Sequence, residues 1–183
     1  MSVARESILT LLEETDGRSE LYDGELREKP QMSFGHNDTL DVLLDQVKSQ
    51  LSRNLHRVRY NSAHLTVPNG NSYIPDLVIV PVSAFEDFLS NRRRFERYAD
   101  PMPFVVEIWS PSTGSYDVDR KIPGYQARGD LEIWRIHPFY RTVQIWRRQS
   151  HGHYVESEAR GGTIELHALP QVRIDLEPLF VSE

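Results

Sequence analysis

The amino-acid sequence predicts an α/β protein in which helices pack against a mixed sheet, and three patterns support this prediction. Leucine and valine recur at intervals of three and four between residues 40 and 51, which is typical of an amphipathic helix. Two apolar runs, at residues 77–80 and 104–109, are typical of strands that are buried on both faces. Helix-like and strand-like segments alternate along the chain, which indicates a sheet covered by helices.

The composition excludes several classes of protein. Of the 183 residues, 39% are hydrophobic and 26% are charged, so the chain can bury a core, and we expect one domain over residues 1–183. The absence of cysteine excludes disulfides, thiolate zinc sites and a cysteine nucleophile. Without a membrane-spanning apolar run or a signal-peptide pattern, we expect a cytoplasmic protein that has no membrane contact. The net charge of −6 disfavours strong, sequence-independent binding to nucleic acid.

The first predicted elements are a short helix and a β-hairpin. Ile8, Leu11 and Leu12 lie at helical spacing, and Gly17 offers a stop. Residues 20–27 contain an Asp-Gly pair between residues of mixed polarity, which is the strongest short-range signal for a two-residue hairpin turn. We therefore expect a helix followed by a hairpin at the N-terminal end.

The longest predicted helix covers residues 40–51, with Asn37 or Asp38 as its expected N-cap. Strands are then predicted at residues 57–67, 72–80, 104–109, 131–136 and 142–146. After the third of these strands, Asp117, Lys121 and Tyr125 follow one another at intervals of four. A helix would place these three side chains on one face, although Pro123 would shorten or kink it.

Two carboxylates lie within apolar strands, where a charge is unfavourable. Asp76 directly precedes the run 77–80, and Glu107 lies inside the run 104–109. Two buried acids at neighbouring sheet positions indicate a metal ion or a basic side chain, for which Lys121 is the nearest candidate. Such a set suits phosphodiester hydrolysis, in which the acids hold Mg²⁺ or Mn²⁺ and the metal activates water. The alternative is a structural ion pair between Glu107 and Lys121.

The order and spacing of several short motifs resemble the Uma2 family, also called DUF820. The resemblance extends over about residues 20–137 and rests on Tyr22-Asp23-Gly24-Glu25, His36, Pro75-Asp76, Val106-Glu107-Ile108, Ser110-Pro111-Ser112-Thr113, Asp117, Lys121, Tyr125 and Glu132-Ile133-Trp134. It implies a restriction-endonuclease-like core of the PD-(D/E)xK superfamily, here with an N-terminal helix and hairpin. It also implies a divalent-metal nuclease site.

The resemblance implies which residues hold the metal. Asp76 takes the place of the first strand acid and Glu107 that of the second, with the Ile108 carbonyl as a further metal ligand. In the standard motif a lysine lies two positions after the second acid, but Trp109 occupies that position here. The resemblance moves the lysine's role to Lys121 on the following helix, since a long flexible stem can bring the ammonium group to the site.

Four supporting residues are implied by the same resemblance. Asp117 would orient Lys121, and Glu25 would correspond to the N-terminal acid that many of these nucleases add to the metal site. His36 would move protons or contact the scissile phosphate, and Tyr125 would hydrogen-bond an active-site carboxylate. Each has a structural alternative: Glu25 as a solvated turn acid, His36 as a capping residue and Tyr125 as a half-buried core residue.

The leading functional prediction is a divalent-metal-dependent endonuclease that hydrolyses phosphodiester bonds of DNA. We expect a homodimer, because such enzymes cut two strands and because Trp146 and Phe139 are expected to be exposed. The alternative is an interaction module that keeps the fold and binds a protein or nucleic acid without cutting it, which the acidic net charge favours. A third class is a metal-dependent hydrolase of small nucleotides or RNA, which would need little basic surface.

Overall fold

The computed structural model describes residues 18–85, 88 and 95–180 of the chain. The helix predicted around residues 8–12 lies outside this part. Within it, strands of a five-stranded sheet and of a six-stranded sheet are combined with a few helices. The predicted mixed α/β class is therefore confirmed.

The five-stranded sheet contains the N-terminal hairpin. Its strands are β1 (Ser19–Tyr22), β2 (Glu25–Glu28), β4 (His64–Thr66), β5 (Ser72–Tyr73) and β7 (Arg97–Tyr98). They lie in the order β2-β1-β5-β4-β7, and β4 and β7 are parallel.

The six-stranded sheet carries the apolar strands. Its members are β3 (His56–Tyr60), β6 (Leu77–Pro81), β8 (Phe104–Ile108), β9 (Glu132–His137), β10 (Thr142–Arg148) and β11 (Tyr154–Ala159). Their order is β11-β10-β9-β8-β6-β3, and the β8–β9 pair is parallel. A separate hairpin is formed by β12 (Thr163–Glu165) and β13 (Arg173–Asp175).

The helices are one long element and several short ones. The long helix is α1 (Phe34–Gln50). After β8, α2 (Gly114–Tyr116) leads through a π-helical turn, Asp117–Lys121, into α3 (Ile122–Arg128). Short 3₁₀ turns are found at Val82–Phe85 and Glu177–Leu179.

The predicted hairpin is confirmed, and the predicted N-cap of the long helix is wrong. At the hairpin turn, Asp23 and Gly24 have φ angles of 49° and 82°, as a two-residue turn with left-handed backbone requires. The helix begins at Phe34, where the Ser33 hydroxyl accepts a hydrogen bond of 3.3 Å from the His36 N–H. The first buried residues of this helix are small or polar, so the apolar periodicity of the sequence did not reveal its first turn.

Two strands that were predicted as continuous are each divided between the two sheets. The predicted strand 57–67 is divided into β3 and β4, and Asn61, with φ of 49°, lies at the break. The predicted strand 72–80 is divided into β5 and β6, with Pro75 and Asp76 at the break. Asp76 therefore lies where the chain crosses from one sheet to the other.

The six-stranded sheet separates two hydrophobic cores. On one face, side chains such as Val106 and Trp134 pack against α1 and the C-terminal hairpin. On the other face, Val105 and Ile133 pack with Tyr125 of α3 and Tyr73 of the five-stranded sheet. Side chains alternate along a strand, so Glu107 shares the second face with Val105.

Of the two aromatic side chains that were expected to be exposed, one is exposed and the other is buried. Trp146 is only 7% exposed, so its expected exposure is wrong, whereas Phe139 is 48% exposed. Trp146 is buried because it faces the second core together with Ile133.

In the described part of the chain, no helix has the length and apolar character needed to cross a membrane.

Candidate active site

Asp76 and Glu107 face each other across two neighbouring strands. β6 and β8 are antiparallel, and Leu77 lies opposite Val106. This register places the residue before Leu77 opposite the residue after Val106, on the same face of the sheet. The two acids are 2% and 1% exposed. Strand pairing therefore creates a buried pair of carboxylates.

The helical segment after β8 adds three functional groups to this pair. The Lys121 ammonium nitrogen lies 3.3 Å from Oε2 of Glu107 and 3.6 Å from Oδ1 of Asp117. The Tyr125 hydroxyl donates a hydrogen bond of 2.6 Å to Oε1 of Glu107. All three residues are buried. The structure thus brings together five of the residues that the sequence analysis selected.

A π-helical turn and a glycine position this segment. The widened turn Asp117–Lys121 is closed by a hydrogen bond from the N–H of Ile122 to the carbonyl of its first residue. Pro123 falls in the first turn of α3, where a missing N–H is tolerated. An added Cβ on Gly124 would lie 2.7 Å from Cε2 of Tyr73. Glycine therefore lets α3 approach the five-stranded sheet closely.

Asp76 has three partners of its own. The Lys29 ammonium nitrogen lies 2.7 Å from Oδ1, and the Ile108 N–H donates a hydrogen bond of 2.7 Å to Oδ2. Nε2 of His36 lies 3.0 Å from Oδ2, but it is poorly aligned for a hydrogen bond. His36, which the sequence analysis selected, is therefore in contact with the acid pair, at the N-terminal end of α1.

Glu20, and not Glu25, is the N-terminal acid of this cluster. Oε1 of Glu20 lies 2.9 Å from the Lys121 ammonium nitrogen and accepts a hydrogen bond of 2.8 Å from the Ile74 N–H. Glu25 is exposed and pairs with Tyr22 next to the hairpin turn. Both acids are glutamates that lie on either side of the same hairpin turn, so the residue type alone did not distinguish them in the sequence. The signal that could have done so is strand position, since Glu20 lies on a strand that is paired on both sides.

Lys29 is the second residue that the sequence analysis missed. Its ammonium group also donates hydrogen bonds to Oδ1 of Asn61, at 2.6 Å, and to the Ile74 carbonyl, at 3.0 Å. The side chain is 11% exposed and borders a surface cavity of about 250 Å³, together with Arg18 and Asn37. It follows the hairpin in a stretch without periodicity, where no sequence signal selected it.

Burial and charge shift the pKa values of the two acids in opposite directions. Burial acts to raise the pKa of Asp76, but Lys29 and His36 hold it well below its ordinary value. At Glu107 burial dominates and raises the pKa well above its ordinary value, despite Lys121. Burial likewise raises the pKa of Asp117. For Lys121, burial acts to lower the pKa, but the surrounding carboxylates raise it well above its ordinary value.

The donor groups of the cluster fit a hard divalent cation. The cluster holds four buried carboxylates and two lysines, which are Glu20, Asp76, Glu107, Asp117, Lys29 and Lys121. With all four carboxyl groups ionised, the cluster carries an excess of two negative charges, which a divalent ion would balance. Both Asp117 carboxylate oxygens are buried without a hydrogen-bond partner in the described part. Among the described residues, however, no three acidic or imidazole side chains already form a coordinating group.

Comparison with solved structures identifies the fold. The chain is similar to a protein from Anabaena variabilis ATCC 29413 that is described as "a putative nuclease belonging to DUF820". The TM-score is 0.69, the identity is 18%, and the match covers 88% of this chain and 89% of that chain. The fold is therefore the mixed α/β fold of that structure.

The family follows from the sequence. A sequence model of the Uma2 family, described as "Putative restriction endonuclease", matches residues 5–177. The chain belongs to the Uma2 family, which confirms the resemblance drawn from its motifs. A comparison with curated proteins gave no match.

Proposed function

We propose that this chain is a divalent-metal-dependent nuclease that hydrolyses phosphodiester bonds of DNA. The observation that carries the proposal is the buried pair Asp76 and Glu107 on neighbouring strands, with Lys121 beside it and an excess of carboxylates around it. Family membership supports it, because the description of the family is "Putative restriction endonuclease". A structural ion pair would need one acid for one lysine, whereas Lys121 lies within ion-pair distance of three acids.

Asp76 and Glu107, with the Ile108 carbonyl, would hold Mg²⁺ or Mn²⁺. When bound, the ion would lower the pKa of a water ligand and stabilise the negative charge that develops on the phosphate. The protein's own contribution is to fix the two carboxylates. His36 and Lys29 hold Asp76 from one side, since both lie within 3.0 Å of its oxygens.

Lys121 and Tyr125 hold Glu107 from the other side of the acid pair. Lys121 is 1% exposed, so its role in the proposal is to orient and neutralise the acids around it. Asp117, whose Oδ1 lies 3.6 Å from the Lys121 ammonium nitrogen, orients Lys121 in turn. Of the two lysines, Lys29 is the one whose side chain borders a surface cavity, so it would meet an approaching phosphate first.

The proposal includes a homodimer, because cutting both strands of a duplex requires two sites. β11 lies at the edge of the six-stranded sheet and exposes Val155 by 50%. An open edge with an exposed apolar side chain can pair with a second copy. Light scattering after size exclusion should give twice the chain mass of 21.3 kDa. A mass of one chain at micromolar concentration would exclude this part of the proposal.

Nicking of supercoiled plasmid DNA tests the proposed activity. We expect the wild type to nick DNA with Mn²⁺ or Mg²⁺. It should lose this activity in EDTA, because EDTA removes the ion that would activate the attacking water. Asp76→Asn should abolish nicking, and Lys121→Ala should reduce it about a hundredfold or more, as loss of a preorganised charged group does. Arg173→Ala is the matched control, because the Arg173 side chain is 67% exposed and pairs with Glu165 on the C-terminal hairpin, away from the cluster.

The second candidate function is a catalytically silent interaction module with the same fold. The observation that favours it is the net charge of −6, which opposes tight contact with phosphate. It would be supported by a wild type that neither nicks DNA nor binds Mn²⁺, because the cluster would then be a structural ion-pair network.

A further inference from the structure

A groove runs across the six-stranded sheet beside the buried cluster. Its volume is about 600 Å³, and its floor is the sheet face that carries Glu107. Strand pairing places Arg135 beside Glu107, Gln144 beside Arg135 and Glu158 beside Gln144. Partners across neighbouring strands share a face, so these side chains form one continuous row. The groove therefore follows the row of side chains that begins at the acid pair of Asp76 and Glu107.

The next row of the same face carries stacked aromatic rings. Trp109, two residues after Glu107, stacks on His137 with ring centroids 4.3 Å apart and planes 17° apart. Tyr140 stacks on the opposite side of His137, at 4.1 Å and 14°. Tyr140 is 73% exposed, so the stack ends on a ring that is open to solvent. An open aromatic face at the end of such a stack can accept one more planar group.

Charged groups border the aromatic stack. Arg135 donates a hydrogen bond of 3.1 Å to Oε1 of Gln144, and the side chain of Arg160, which is 68% exposed, pairs with Glu158 at 2.8 Å. Two guanidinium groups and one carboxylate line the groove, so the lining itself is positive, while Asp117 and Asp119 lie near Arg135. Burial, followed by Arg135, lowers the pKa of His137, so its ring is neutral at pH 7 and stacks as an uncharged aromatic.

We propose that this groove binds a single-stranded stretch of nucleic acid, whose bases stack on Tyr140 and whose phosphates contact Arg135 and Arg160. Stacking accepts any base, and guanidinium groups follow the phosphate backbone. The inference deepens the proposed function and rests on it for the class of ligand. Because Arg135 of the groove is the neighbour of Glu107 on the next strand, the inference defines the substrate as a strand that is unpaired beside the scissile phosphate.

Binding can be measured without cleavage by fluorescence anisotropy in EDTA. The probe is a labelled oligothymidylate of about twelve nucleotides, which matches the site size of a single-strand groove. We expect the wild type to bind it more tightly than a duplex of the same length. Tyr140→Ala should weaken binding about tenfold, which is the cost of one lost base stack. Arg160→Ala should weaken binding and lower its salt dependence.

Matched controls lie elsewhere on the surface. Phe34→Ala removes an aromatic side chain that is 84% exposed, and Arg173→Ala removes an arginine side chain that is 67% exposed. Neither should change the affinity. Tryptophan fluorescence gives a second readout, because Trp134 and Trp146 are buried and quenching by the oligonucleotide therefore reports on Trp109. Trp109→Phe should abolish the quenching.

Three results would overturn the inference: tighter binding of the duplex, unchanged affinity in both groove variants, or loss of affinity only in Arg53→Ala and Arg57→Ala. Arg53 and Arg57 border a separate cavity beside β3, which is the alternative basic surface for binding the oligonucleotide. If the wild type nicks DNA and the groove variants bind normally, only this inference fails. If the groove variants lose binding and the wild type does not nick with metal, the groove stands and the proposed hydrolysis fails.

Discussion

At the residue scale, two buried glutamates of the six-stranded sheet show how an acid at a candidate active site differs from a structural one. Glu132 accepts hydrogen bonds of 2.8 Å from Nε1 of Trp134 and 3.1 Å from Nε of Arg147. It has donors of its own, one of them a charged guanidinium group. Glu107 instead lies opposite Asp76 and shares Lys121 with other acids, and burial, together with the charges of Asp76 and Asp117, raises its pKa. Crowding of acids around one cation, and not burial alone, marks the candidate site.

Lys29 has a predicted effect on metal affinity. Its ammonium group lies 2.7 Å from Oδ1 of Asp76, where its positive charge opposes a divalent ion. We expect Lys29→Gln to bind Mn²⁺ about tenfold more tightly than the wild type in a calorimetric titration. Lys48→Gln removes the same charge far from the cluster and should leave the affinity unchanged. Equal tightening in both variants would mean that only net charge matters.

Residues that interrupt a regular pattern could be predicted from the sequence. Asp76 and Glu107 could be selected because each is an acid next to or within an apolar strand, and Lys121 because helical spacing joined it to Asp117 and Tyr125. Glu20 and Lys29 could not, since their importance comes from contacts between distant segments. Glu20 meets Lys121 only after the two sheets are assembled. Sequence spacing carries no information about such contacts.

At the element scale, the segment between β8 and β9 decides where Lys121 and Tyr125 lie. The i, i+4, i+8 spacing predicted one helical face, and all three residues do face the cluster. The continuous helix is replaced by a π-helical turn, which the sequence did not reveal. Long predicted strands were divided for a related reason, because local propensity does not show where a chain crosses between sheets.

Gly124→Ala tests the close approach of α3 to the five-stranded sheet. The added Cβ would lie 2.7 Å from Cε2 of Tyr73 and 3.1 Å from Cγ1 of Val67, in a packed core. We expect a loss of about 1–3 kcal/mol in the free energy of unfolding, although alanine is the better helix former. Urea denaturation measures it. In the control, Gly161→Ala, the new Cβ meets the flexible carboxylate of Glu177, so the change should stay within about 0.5 kcal/mol.

At the scale of the whole molecule, a buried arginine connects the two sheets. Arg128 at the end of α3 pairs with Asp130 at 3.0 Å and donates hydrogen bonds to the carbonyls of Thr66 and Tyr98. Asp130 in turn accepts a hydrogen bond of 2.7 Å from the Met102 N–H, ahead of β8. These contacts join the five-stranded sheet to the strand that carries Glu107, away from the acid cluster itself.

Arg128→Met should therefore reduce stability without changing the metal site. Removing one partner leaves Asp130 buried and unpaired, and we expect a loss of about 3–5 kcal/mol in the free energy of unfolding. The Mn²⁺ affinity of the folded variant should equal that of the wild type, because Arg128 contacts no residue of the cluster. A variant of normal stability, or one with weakened metal binding, would contradict this account of the connection.

Calorimetric titration of Mn²⁺ decides whether the buried acid pair is a metal site. The measurement compares the wild type with Glu107→Gln and with Glu132→Gln, a matched change at the other buried glutamate of the sheet, after circular dichroism has confirmed that each variant is folded. We expect the wild type and Glu132→Gln to bind the ion and Glu107→Gln not to bind it. A wild type that binds no Mn²⁺, or a Glu107→Gln variant that binds it as tightly, would contradict the claim.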